Sequence, residues 1–115
     1  MQVVVDVSGH GVEVEHIEIF MPHSIASSST CIHTHSASGF SITGNLIRHD
    51  NENCSPGYPH GSALFFDVGT NSGLVSNNAF STRCTAFVGY SASGVLLEDN
   101  SFQVRAVLLL PMLLV

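Results

Sequence analysis

Asp6 and Asp67 each sit in a short apolar run, Val3-Val4-Val5-Asp6-Val7 and Leu64-Phe65-Phe66-Asp67-Val68. Alternation along such strands puts Asp6, Thr34, Asp67 and Gly89 on one side, and Val5, Val7, Phe66, Val68, Val88 and Tyr90 on the other. If the strands stack in parallel, the two aspartates lie two rungs apart, roughly 9.6 Å at about 4.8 Å per rung. Carboxylates at that separation suit an inverting glycoside hydrolase, in which one protonates the leaving oxygen and the other activates water. Outward aspartates are equally ordinary on a solvated strand. Catalysis by Asp6 and Asp67 is therefore an expectation set against simple solvation.

A second group lies in the segment 48–62: Arg48, His49, Asp50, Glu52, Tyr58 and His60. Carboxylates, imidazoles and an aromatic ring on a loop above a rigid scaffold suit binding of a metal or a sugar ring, against the plainer reading of a solvated loop. No fixed ligand spacing unites them. Cys31, Cys54 and Cys84 match no zinc template, so neither a metal site nor a cofactor is expected. One of the three is left over unless it pairs elsewhere; a Cys31–Cys84 or Cys54–Cys84 bridge is open to a geometric check. His33 and His35 fall on the apolar side of the alternation. Either they are buried and hydrogen-bonded, or the facing assignment fails there.

The elements that must position these residues form a repeat. Apolar residues make up 44% of the 115 and charged ones only 10%, which excludes a disordered chain. A formal net charge of −6 argues against a nucleic-acid partner. Four segments share an apolar strand, a small Ser/Gly turn and a second strand: 3–7, 8–11 and 12–19; 31–35, 36–39 and 40–47; 64–68, 69–73 and 74–80; 86–90, 91–94 and 95–102. The closing glycines Gly11, Gly39, Gly73 and Gly94 are 28, 34 and 21 residues apart. Surface loops at 20–29 and 48–62 account for the longer spacings, since loop length costs little entropy in a solenoid. The third repeat slips, with a turn one residue longer and a second strand one shorter.

Period two predicts Val12 and Val14, Phe40 and Ile42, and Val95 and Leu97 inside. Asn45, Asn78 and Asn100 recur just before a last apolar residue, where an asparagine ladder can satisfy turn amides in neighbouring coils.

Ser-Gly-Phe-Ser-Ile-Thr-Gly-Asn-Leu-Ile (38–47) and Ser-Gly-Val-Leu-Leu-Glu-Asp-Asn-Ser-Phe (93–102) resemble the parallel β-helix repeat of the pectate-lyase-like superfamily. The resemblance covers most of residues 3–105. It implies an all-β, right-handed parallel β-helix of about four coils, and little about activity, because that superfamily hosts enzymes and non-catalytic surface proteins alike. Residues 14–20 and 62–102 are similar to the β-helix regions of fibrocystin-like surface proteins. Gly9-His10-Gly11 resembles a polygalacturonase signature, but the Asp-Asp pair and the basic segment that accompany it there are missing.

Residues 1–105 are thus expected to be β-helix coils and 106–115 an apolar tail, the start of a further coil or a truncated segment. A longer parent chain is expected at both ends. Asn53-Cys54-Ser55 fits a glycosylation sequon, consistent with an extracellular or cell-surface setting. The expected function is a non-catalytic scaffold that binds carbohydrate or protein through its loops. The alternative is a fragment of a polysaccharide lyase or glycoside hydrolase.

Overall fold

The computed structural model describes residues 2–22, 29–50, 60–83, 85–89 and 92–104, and contains only strands and turns. The apolar tail at 106–115 lies outside these residues. Twelve strands run β1 (Gln2–His10), β2 (Glu13–Glu15), β3 (Glu18–Met21), β4 (Ser29–Ser38), β5 (Ser41–Thr43), β6 (Leu46–His49), β7 (His60–Phe66), β8 (Leu74–Ser76), β9 (Ala79–Thr82), β10 (Thr85–Gly89), β11 (Leu96–Glu98) and β12 (Ser101–Val104). They form three parallel sheets of four strands, ordered β1-β4-β7-β10, β2-β5-β8-β11 and β3-β6-β9-β12. Every third strand returns to the same sheet, so the chain winds as a parallel β-helix of four coils.

Each coil holds three strands, not two. The expected second strand breaks at a residue with positive φ: His16 (55°), Gly44 (70°), Asn77 (56°) and Asp99 (57°). Left-handed backbone at each position turns the chain from the second sheet to the third.

The next residue carries the ladder. Asn45 Oδ1 accepts from Ile17 N–H at 3.0 Å, and its Nδ2 donates to Val14 O at 2.9 Å and to Asn78 Oδ1 at 3.0 Å. Asn78 repeats the pattern one coil on, donating to Ile42 O at 2.9 Å and to Asn100 Oδ1 at 3.1 Å; Asn100 donates to Val75 O at 3.0 Å. Asn45 and Asn78 are buried, so these bonds satisfy groups that water cannot reach.

The core fills the space between the sheets. Val7, Val14, Ile32, Phe40, Ile42, Ile47, Leu64, Phe66, Val75 and Phe80 are buried, while Val12, Val95 and Leu97 of the outer coils are half-buried against them. Phe66, Phe80, Phe87 and Phe102 stack or meet edge to face at 5.2–6.0 Å.

The slip in the third coil has a packing cause. The bridges Ser38–Asn71 and Asn71–Ser93 align Ser72, not Gly73, with the turn glycines Gly39 and Gly94, and Ser72 takes the positive φ of 57°. Gly73 falls one place later, where the Phe40 ring lies over it: a Cβ there would collide with Phe40 Cζ.

Candidate functional site

Sheet β1-β4-β7-β10 turns its inner face to the core through Val5, Ile32, Leu64 and Phe87, and through Val7, Thr34 and Phe66. Thr34 is fully buried and hydrogen-bonds Thr70 Oγ1 at 2.8 Å. The expectation that Thr34 faces outward beside Asp6 is therefore wrong. Asp6 pairs instead with His33, and His33 with Phe65, so His33 and His35 face outward with the aspartates. Val88 pairs with Phe65 and belongs to this outer row as well.

The cause is the turn that follows these strands. From the inner residue to the matching turn residue the chain takes three steps in the first coil (Val7 to His10), four in the second (Thr34 to Ser38) and five in the third (Phe66 to Asn71). Counting back from the turn glycines therefore misaligns the strands. In β4 the extra residue is absorbed by Ser36 in the left-handed region (φ 47°), a bulge that shifts register between Val7 and Gly9.

Asp6 and Asp67 do come together, but through an imidazole. His33 Nδ1 lies 3.0 Å from Asp6 Oδ1, and His33 Nε2 lies 3.0 Å from Asp67 Oδ2. His35 Nε2 lies 3.1 Å from Asp6 Oδ1 and 3.2 Å from Oδ2. The His33 ring stacks with His35 (centroids 4.9 Å) and with Phe65 (5.1 Å). Phe65 is buried yet stands apart from the core cluster, as an outward ring flooring this site requires.

Asp67 is fixed from its other side, because Oδ1 accepts the Val68 N–H at 2.7 Å. Burial alone raises the Asp67 carboxyl, but hydrogen bonds from His33 and Val68 and the two nearby imidazoles outweigh it and hold its pKa below the ordinary carboxylate value. Ionised Asp67 is acceptor-only, so His33 must donate Nε2–H to it. Asp6, His33 and His35 each offer one ligand atom within 4.8 Å of the others, a group able to hold a metal ion. Sequence reasoning missed this group. The signal available was His33-x-His35 at strand spacing, which aims two imidazoles at one side.

Of the second group, Arg48, His49 and Asp50 have described side chains. Arg48 and His49 belong to β6. His49 is fully buried at the corner between sheets, 3.0 Å from Ser29 Oγ, and burial pushes its pKa down to about 4 against weaker upward effects of Asp50 and Ser29. The expectation that His49 is a surface binding residue is therefore corrected. Arg48 grips Asp50 with two bonds of 3.1 Å and lies over the Phe20 ring, on the third sheet and not the first. Glu52 and Tyr58 lie outside the described residues; His60 opens β7, and its side chain is likewise outside them.

Cys31 is a free, buried thiol, so the Cys31–Cys84 bridge does not form; Cys54 and Cys84 lie outside the described residues. Burial raises the Cys31 thiol to about 12, opposed by a Met21 backbone hydrogen bond, which makes it an inert core residue. No family model matches the chain, and no curated protein or solved structure matches it either.

Proposed function

We propose that the chain is a segment of a non-catalytic β-helix scaffold, of the pectate-lyase-like kind and extracellular or cell-surface in setting, which recognises carbohydrate or protein. Its recognition surface is the outer face of β1-β4-β7-β10 around Asp6, His33, His35 and Asp67. One observation carries this reading: an imidazole occupies the gap between the two carboxylates. A glycoside hydrolase needs that gap for water and the scissile bond. A carboxylate–imidazole chain on a hydrogen-bonded sheet instead offers fixed donors and acceptors to a docking partner.

The test is incubation of the chain with acidic and neutral polysaccharides, with reducing ends and unsaturated products measured alongside binding on a glycan array. The scaffold reading expects no product release, and binding that weakens when Asp6 or His35 is replaced. Turnover abolished by Asp67→Asn would establish the lyase or hydrolase reading in its place.

A further inference from the structure

We propose that Asp6, His33 and His35 bind one divalent transition-metal ion of the zinc type, with Asp67 as the residue that orients His33. His33 Nε2 faces Asp67 Oδ2 at 3.0 Å, and in the tautomer that donates Nε2–H to Asp67 the Nδ1 lone pair faces Asp6 Oδ1 at 3.0 Å. Two electron pairs at that distance repel unless a positive centre lies between them. A proton can be that centre, and so can a metal ion.

The geometry fits the metal. Ligands held at 2.0–2.1 Å around a tetrahedral zinc lie about 3.3 Å apart. Asp6 Oδ1 is 3.0 Å from His33 Nδ1 and 3.1 Å from His35 Nε2, so two edges of the ligand triangle are already near that length. The third falls within 4.8 Å. A turn of the half-exposed His35 ring about its own side-chain bonds closes it.

The ligand set also selects the ion. Two imidazoles and one carboxylate suit zinc, cobalt, nickel or copper, whereas calcium and magnesium need oxygen ligands. Three protein ligands leave a fourth position open toward solvent. The pairing of Asp67 with the far nitrogen of His33 is the carboxylate–histidine–metal arrangement that fixes a ligand's tautomer and raises its basicity. Asp67 is itself held by the Val68 N–H, so the orienting group is in place before any ion arrives. An ion there would tie β1 to β4 and stabilise the first two coils by binding only the folded state.

The experiment titrates the full chain with zinc alone, following the thermal melt and calorimetric stoichiometry, and records the visible spectrum with cobalt substituted. The expected result is one zinc per chain, a raised melting temperature and a cobalt spectrum without a thiolate charge-transfer band. Asp6→Asn and His35→Gln, both at solvent-accessible positions, should abolish the shift while retaining the wild-type circular dichroism spectrum. Asp67→Ala should weaken zinc binding by about 10–100-fold with the stoichiometry kept. His16→Asn, at a far corner of the coil, should change nothing. Absence of a zinc-dependent shift in the wild-type chain, a thiolate band in the cobalt spectrum, or zinc binding unaltered by Asp6→Asn and His35→Gln would each overturn the proposal.

Discussion

The corner between the second and third sheets and the outer face of the first are built on opposite principles. At the corner, Asn45, Asn78 and Asn100 repeat one residue type at one place in successive coils, and each side chain completes the backbone bonding of its neighbour. On the outer face, Asp6, His33 and Phe65 occupy equivalent places in three coils with three different chemistries. Repetition serves stability, because it satisfies the same buried groups at every turn. Departure from repetition marks the place where the fold is free to do something else, because nothing in the core depends on it.

Breaking the corner should have the largest effect. Asn78→Ala removes donors to Ile42 O and Asn100 Oδ1, and leaves Asn45 N–H without its 2.9 Å acceptor. The buried Asn45 N–H loses its acceptor and the Ile42 carbonyl its side-chain donor, while Asn100 Oδ1 keeps the Asn78 backbone N–H, so the expected loss is about 3–4 kcal/mol in denaturant unfolding. The next effect belongs to the core beside it. Gly73→Ala drives a methyl group into the Phe40 ring and should cost about 2 kcal/mol. The same change should cost measurably less in a Phe40→Leu background, a coupling that a double-mutant cycle reads directly.

Acid separates the outer face from a different corner, where His49 at the end of β6 meets Ser29 at the start of β4. The folded state lowers His49 from 6.5 to about 4, so within that window the unfolded chain binds the extra proton and stability falls as pH drops. By about pH 5 the expected loss is about 2 kcal/mol, absent in His49→Gln. The depressed Asp67 carboxyl acts lower: its contribution is present above the ordinary carboxylate value and is lost as pH falls through its folded value. Two acid steps should therefore appear in melting temperature against pH, with only the upper one removed by His49→Gln. The smallest effect is at the outer face, where Asp6→Asn at a largely exposed position should change metal-free stability by less than about 1 kcal/mol.

Most of the fold was legible because a solenoid writes its period into the chain. Alternation placed Phe40 and Ile42 inside, and the asparagines announced their ladder. The third strand of each coil was hidden because its bend is made by His16, Gly44, Asn77 and Asp99, four residues that share only a backbone conformation. The site was half legible. Asp6 and Asp67 were recognised, and they do share an outer face. His33 and His35 were set on the wrong side because the first turn is one residue longer in the second coil than in the first, and an added residue reverses the facing of everything counted back through it. His49 read as a loop residue because a buried histidine bonded to Ser29 has no signature distinguishing it from an exposed one.

Asp6, His33, His35 and Asp67 form one connected unit on the outer face. The most direct test is long-range proton–nitrogen NMR of the histidine side chains in the metal-free chain near neutral pH. His33 should carry its proton on Nε2, Asp67→Ala should shift both ring nitrogens of His33, and the His49 signals should stay unchanged. His33 signals like those of a freely solvated imidazole, indifferent to the loss of Asp67, would contradict it.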